Sequence, residues 1–333
     1  MTFGGAVWYT PRFMRSKKLT ANAPGKVNLF LEVLDRRPDG YHDVKSLMVH
    51  VSLCDKLVFE LTSGEIKTTV TIGDIPAWWG RRQLLTDGNN LTTRAAIALR
   101  KATGYRGGAR IHVEKRIPIC GGMGGGSSDA AATLRVLNQL WGTGLSIEEL
   151  CRIASGLGSD VPAMVLGGWV VLEGMGERVT PVRMIESDLG TGGPGWHIVV
   201  VNPGFCVPTR DVCARYRLAL TSRRGQFKRM VCAAGKQDME AIRCGLFNSL
   251  EGTVFEKYPL LAMIAMELEK AGARGVLLCG SGASLFALAD SKSQACAIAG
   301  EIGRTMGSWL WAKVAEILPD GVTAAHGPLE ARV

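Results

Sequence analysis

The chain is 333 residues long, 47% hydrophobic and 21% charged, with a formal net charge of +9 and nine cysteines. That balance describes an ordered globular protein of one large or two medium domains and excludes a disordered chain. The closest approach to a membrane span, Val161 to Leu172, is interrupted by Gly167 and Gly168 and falls short of the roughly 18 apolar residues needed.

Residues 1–18 end in RFMRSKK, with the charge after a weakly apolar stretch, the reverse of a secretory signal, and are read as an extension. From Lys26 the residues alternate, with Val27, Leu29, Leu31 and Val33 pointing one way and Lys26, Asn28, Phe30 and Glu32 the other. This predicts a strand with Lys26 and Asn28 on one face. RPDGYH supplies turn chemistry before a second strand from Val44 to Leu61, so the two form a hairpin. A helix is predicted from Leu91 to Thr103, stopped by Gly104, and a strand from Ala109 to Glu114.

Beyond the glycine-rich segment, Ala130, Leu134, Leu137 and Trp141 recur at helical spacing. Ser146 and Glu149 form a capping box for the next helix, which ends at Gly156 or Gly158, and GGWVVLEGMGERVTPV reads as a hairpin turning at Gly174 to Gly176. Ser187 to Gly195 reads as a linker. After it come a strand from His197 to Asn202, a basic helical region, two further helices, a strand, glycine turn and strand in ARGVLLCGSGASLFALAD, and a last helix and strand ending near Leu318. The pattern is mixed α+β in two domains, 19–186 and 196–320, with a tail at 321–333.

The segment PICGGMGGGSSDAA packs five glycines into six positions, broken only by Met123, and runs straight into a helix. Glycines there let the chain take positive φ and let backbone N–H groups approach an anion, while the dipole of the following helix favours negative charge. The pattern is neither Gly-x-x-x-x-Gly-Lys-Ser/Thr nor Gly-x-Gly-x-x-Gly, so it is a phosphate loop of another type. Its candidate residues are Pro118, Ile119, Cys120, Gly121, Gly122, Met123, Gly124, Gly125, Gly126, Ser127 and Ser128. The hydroxyls of Ser127 and Ser128 are candidate Mg²⁺ ligands.

In the basic clusters RFMRSKK and Arg215 to Lys228 the aromatic residues, Tyr216 and Phe227 in the second, are too few to interleave the charges as stacking platforms, which argues against nucleic acid as a partner. The five histidines have no ligand spacing for zinc. An odd cysteine count with no Cys-x-x-Cys pair points to reduced thiols and a cytoplasmic setting.

Four segments, APGKVNLFLEVLDRRPDGYHDVKSL, PICGGMGGGSSDAA, GLGSDVPAMVLGG and CGSGASLF, occur in an order that resembles the GHMP kinases, and within them the 4-diphosphocytidyl-2-C-methyl-D-erythritol kinase family. The resemblance spans about Leu19 to Phe286. It implies a ribosomal protein S5 domain 2-like N-terminal domain, a GHMP C-terminal domain, and ATP with Mg²⁺ in the cleft between them. The activity implied is phosphorylation of the 2-hydroxyl of CDP-methylerythritol, a step of non-mevalonate isoprenoid biosynthesis.

By the same resemblance Lys26 supplies positive charge and orients Asp160, the catalytic base in GSDVP. Asn28 lines the cleft, Tyr41 and His42 recognise cytosine, Thr209 lies near the substrate, and Gly280, Ser281 and Gly282 form a late loop closing on the site. The chain departs from the family pattern at Gly25 (usually alanine), Met123 (leucine), Ser249 (aspartate) and Cys213 (an aromatic), with Tyr216 a candidate replacement for the last. A homoserine- or mevalonate-type kinase, or a silent nucleotide- or RNA-binding relative, are the alternatives. The expected partner is a small molecule, with no nucleic acid and no membrane, and the expected state is a monomer or homodimer.

Overall fold

The computed structural model describes residues 18–38, 42–76, 90–184, 196–216 and 225–318. Most of the expected extension (1–17), Tyr41, the linker at 187–195, residues 217–224 of the basic region and the tail lie outside the described residues.

Strands β1 (Lys18–Arg36) and β2 (His42–Thr62) form one long antiparallel ribbon, in which Lys26 stands opposite His50 and Asn28 opposite Met48. The ribbon has register shifts between Pro24 and Lys26, between Asn28 and Phe30, and between Val33 and Arg36. A bulge inserts a residue and breaks strict alternation. Phe30 consequently joins Val27 and Leu29 in one buried cluster, contrary to the two-faced pattern expected from the sequence. Lys26 and Asn28, before the shift, do share a face.

Strand β3 (Ile66–Ile72), which the sequence pattern did not reveal, runs parallel to β4 (Gly108–Lys115), and β4 pairs antiparallel with β2. The hairpin of β5 (Trp169–Gly174) and β6 (Arg178–Pro181) adds to β2 through β5. A second sheet is antiparallel throughout. Strand β7 (His197–Asn202) is central to it, and the two-residue β8 (Phe247–Asn248) pairs instead with β1 in the first sheet. The second sheet runs in the order β11 (Trp311–Glu316), β7, β10 (Leu285–Ala289), β9 (Val276–Leu278).

Helices α1 (Leu91–Thr103), α2 (Gly125–Leu140), α3 (Ile147–Ser155) and α4 (Val161–Leu166) cover one face of the first sheet, packing Leu99, Leu134, Leu137 and Val165 on Phe59 and Ile111. The ends of α1 follow from local chemistry: Asn90 accepts from the Thr92 amide and Gly104 closes the helix in the left-handed region. Ser146 and Glu149 make the expected capping box.

Between the sheets, Leu29, Phe30 and Val49 meet Ile198, Val200 and Phe286, while the alternate β7 residues Val199 and Val201 face the opposite side. That opposite side is covered by later helices. The segment after β7 holds α5 (Thr209–Arg215), α6 (Gln226–Gly235), α7 (Met239–Gly245), α8 (Glu251–Lys257) and α9 (Pro259–Lys270), and α10 (Lys292–Met306) precedes β11. Leu261, Ile264, Leu268 and Ile298 supply the apolar stripe. The described end of the basic stretch belongs to α6, whose Lys228 and Arg229 face solvent while Phe227 packs on Phe30 with ring centroids 5.4 Å apart. Among the described residues no helix is long and apolar enough to cross a membrane.

Candidate active site

Lys26 sits in the middle of β1, 4% exposed, and its ammonium donates to Asn28 Oδ1 at 2.8 Å. Asn28 Nδ2 donates to Ser46 Oγ at 2.8 Å, and Ser46 in turn donates to the Phe30 carbonyl at 2.8 Å. The chain of bonds fixes the lysine head from the strand side. From the helix side, Asp160 Oδ2 lies 3.6 Å from the same ammonium, with the aspartate side chain 37% exposed. Asp160 stands at the N-cap of α4 but makes no side-chain capping bond. An aspartate at that position ordinarily caps; here the carboxylate is turned to Lys26 and to solvent.

The glycine segment bridges β4 and α2. Gly124, φ +68°, is the N-cap of α2 and offers no side chain to the helix amides. Those first N–H groups have no partner within the helix. A Cβ on Gly124 would stand 3.0 Å from Lys26 Cγ and 3.2 Å from its Cε, so the lysine stem crosses where a side chain would be. The Lys26 amide also donates to the Met123 carbonyl at 2.9 Å. The end of the loop and the Lys26–Asp160 pair are thus neighbours.

One side of the loop lines a cavity of about 380 Å³ reaching from Pro118 to Ser127 and walled by Val70, Asn90, Leu91 and Val113. The other side meets protein. A Cβ on Gly122, φ +75°, would lie 1.9 Å from the Cys279 carbonyl oxygen, and one on Gly121 would lie 2.5 Å from Ser284 Oγ. Ser284 donates its amide to the Gly121 carbonyl at 3.2 Å. Two of the five glycines are therefore required by the docking of another loop as well as by the shape of the cavity. Gly126 has only Leu91 Cδ1 near its missing Cβ, at 3.6 Å. Of the two serines, Ser127 lines the cavity and Ser128 is buried.

No group of three or more His, Cys, Asp or Glu suited to a metal occurs among the described residues. The donors that fit Mg²⁺ at this cavity are hard oxygens, the Ser127 hydroxyl together with the oxygens of a bound phosphate chain.

Residues the sequence reading passed over lie beneath the loop. Lys115, at the end of β4, donates to Asp55 Oδ2 and, at 2.7 Å, to Asp129 Oδ2. Asp55 Oδ1 accepts from the amides of Arg116 and Ile117 at 2.6 and 2.8 Å. Asp129 Oδ1 is buried with no partner. Burial works against the Lys115 charge, but Asp129 and Asp55 outweigh it and hold its pKa above the usual lysine range. Burial pushes the Asp129 carboxyl up to about 7, against the pull of Lys115 and with the help of the Asp55 charge. Both shifts are upward, which favours the charged form of Lys115 and disfavours that of Asp129, because a single ammonium serves two carboxylates and Asp55 also holds the amides. Asp129 is the member left short. Asp55 interrupting the apolar rhythm of β2 was the signal available in the sequence.

The late loop reaches the same place from the second sheet. Asn248 Nδ2 donates to the carbonyls of Leu278 and Gly280 at 2.9 and 2.7 Å, and a Cβ on Gly280 would lie 3.5 Å from Lys26 Nζ. Thr209 Oγ1 and Ser281 Oγ are 2.7 Å apart, so Thr209 joins the site through this loop. Ser249 accepts from the Val33 amide at 2.9 Å and donates its own amide to the Leu31 carbonyl at 2.9 Å, tying β8 to β1. Tyr216 donates its hydroxyl to the Val33 carbonyl at 3.2 Å and packs against the core; Cys213, on α5, is half-buried. His42 opens β2 opposite Arg36, at the turn end of the ribbon, whereas Lys26 pairs with His50 in its middle. Gly25 and Met123, two of the departures, are neighbours: Met123 Cε lies at an ordinary contact distance of 3.5 Å from where a Gly25 Cβ would be, and the Leu53 carbonyl oxygen, at 3.3 Å, is the tighter neighbour.

The chain matches the families described as GHMP kinases N terminal domain, over residues 90–168, and GHMP kinases C terminal, over residues 230–308. It is 39% identical over 288 residues to the 4-diphosphocytidyl-2-C-methyl-D-erythritol kinase of Pelotomaculum thermopropionicum, covering 86% of this chain and 94% of that one. It is 39% identical over 282 residues to the enzyme of the same name from Geobacter metallireducens, covering 84% and 92%. A crystal structure of 4-(cytidine 5'-diphospho)-2C-methyl-D-erythritol kinase superposes with a TM-score of 0.71 at 34% identity, over 90% of this chain and 99% of that one. Homoserine kinase from Cytophaga hutchinsonii superposes with a TM-score of 0.70 at 18% identity, over 94% and 98%, which speaks to fold alone. With the fold, both family domains and relatives at this identity in agreement, the chain belongs to the GHMP kinases, in the 4-diphosphocytidyl-2-C-methyl-D-erythritol kinase family.

Proposed function

We propose that this chain transfers the γ-phosphoryl group of ATP to the 2-hydroxyl of 4-diphosphocytidyl-2-C-methyl-D-erythritol, releasing ADP. The observation that carries the reading is Asp160: a carboxylate at a helix start that caps nothing and is instead set 3.6 Å from Lys26, whose stem crosses the end of the glycine loop. The names of the relatives supply the acceptor.

Phosphoryl transfer asks for a cradle, a compensating charge and a group to receive the hydroxyl proton. The loop from Pro118 to Ser128 serves as the cradle, its bare amides and the dipole of α2 drawing the phosphate chain, with the base in the apolar part of the cavity. Asp160 accepts the proton of the acceptor hydroxyl, and Lys26, held by Asn28, orients that carboxylate and balances charge gathering on the transferred group. ATP when bound supplies the phosphoryl group, and the Ser127 hydroxyl would help hold a Mg²⁺ ion whose charge would screen the phosphate oxygens. The late loop around Gly280 to Gly282, with Thr209, bounds the acceptor side.

ADP release measured with 4-diphosphocytidyl-2-C-methyl-D-erythritol, homoserine and mevalonate tests this. The first alone is expected to support turnover; turnover with either of the others and none with the first overturns the substrate assignment.

A further inference from the structure

We propose that Lys115 is a positioning residue for the glycine loop: it ties Asp55, which holds the loop's entry, to Asp129, which lies in the helix at its exit. This rests on reading residues 118–128 as the triphosphate cradle. Asp55 accepts from the amides of Arg116 and Ile117, the two residues before Pro118. Asp129 follows Ser128 directly. Lys115 Nζ bonds to both carboxylates, and the three side chains are 9%, 0% and 7% exposed, so bulk water does not compete for the bonds.

The bridge has a mechanical purpose at this place. Five glycines give the loop more freedom to lose than any other composition, and each degree of freedom fixed beforehand is one the ligand need not fix. Lys115 Nζ lies 3.2 Å from where a Gly125 Cβ would be, directly beneath the first turn of α2. Asp129 Oδ1 is buried without a partner, and an oxygen left short in a core calls for an explanation beyond packing. Holding both loop ends on one ammonium provides it. Lys115 and Asp129 also line the cavity, so the test must separate an effect on the base from an effect on the phosphates.

Calorimetric titration of the full chain with ATP and with adenosine makes that separation, using Lys115→Met and the double variant Lys115→Met/Asp129→Asn. Lys115→Met alone strands two buried carboxylates and lowers the melting temperature; the double variant removes one of those charges and recovers most of it. In both, ATP affinity is expected to fall about 10- to 100-fold while adenosine affinity changes by less than about twofold, as loss of pre-organisation around the phosphates requires. A double variant that binds ATP like the wild type overturns the proposal, and so does a parallel fall for ATP and adenosine. Wild-type protein that binds ATP no more tightly than adenosine sinks the cradle reading and this proposal with it, whereas the variant outcomes sink only the tie.

Discussion

Lys26 Nζ stands 3.6 Å from Asp160 Oδ2 and 2.8 Å from Asn28 Oδ1, so one ammonium joins the candidate base on α4 to strand β1. Asp160→Asn keeps the shape of the side chain and removes its capacity to accept a proton. Turnover is expected to fall by about 100-fold or more with the KM for ATP nearly unchanged, since Asp160 does not line the cavity assigned to the nucleotide. Steady-state kinetics in both substrates check this, and undiminished turnover removes Asp160 from the chemistry.

Gly122 and Gly126 lie in one loop and are expected to respond differently. A methyl on Gly122 collides with the Cys279 carbonyl, at 1.9 Å, in a backbone of positive φ, so Gly122→Ala should lower stability by about 2–4 kcal/mol. A methyl on Gly126 meets only Leu91, at 3.6 Å, on the cavity side of α2. Gly126→Ala should keep or gain up to about 1 kcal/mol and yet raise the KM for ATP about tenfold. Urea unfolding and ATP titration of the two variants distinguish them; equal behaviour would show that the cavity is not where the nucleotide lies.

Gly25→Ala is expected to be limited by the backbone and not by Met123. A Cβ on Gly25 comes within 3.3 Å of the Leu53 carbonyl oxygen, a tight approach, and within 3.5 Å of Met123 Cε, an ordinary contact. Gly25→Ala should cost about 0.5–1.5 kcal/mol, and adding Met123→Leu should not relieve that cost. A double variant that costs clearly less than the sum in a double-mutant cycle would mean that Met123 is what excludes the methyl.

His50, opposite Lys26 on β2, links the site's floor to pH. Burial pushes its pKa from 6.5 down to about 4; Lys26 and Arg135 add to the fall, and the bond to the Gly168 carbonyl at 2.9 Å opposes it. Between those two pH values the unfolded chain binds the proton that the folded one refuses. The contribution is fully present above about pH 6.5 and is lost as pH falls toward 4, about 2–3 kcal/mol between pH 7 and 4.5. His50→Gln should flatten that part of the pH dependence, read from urea unfolding of both proteins at the two pH values.

The elements that could be read from the amino-acid order are those set by neighbours in the chain. Helix α1 was expected from Leu91 to Thr103 with Gly104 as its stop, as found, and the box of Ser146 and Glu149 was visible, because caps act over three or four residues. The glycine segment could be recognised for the same reason: its residues are contiguous, and bare amides at a helix start have one evident use. Lys26 and Asn28 shared a face in the pattern and share one in space.

What only the tertiary structure decided are the partners across the chain. That Asp160 turns from its own helix to Lys26, that Gly121 and Gly122 must admit Cys279 and Ser284, and that Lys115 gathers Asp55 and Asp129 beneath the loop all depend on sheet register and on the docking of two sheets. The bulge after Asn28, which turns Phe30 into the core, is likewise set by what β1 must pack against on both sides. Local periodicity carries no information about such contacts, because the free energy that selects them comes from burying surfaces contributed by distant segments.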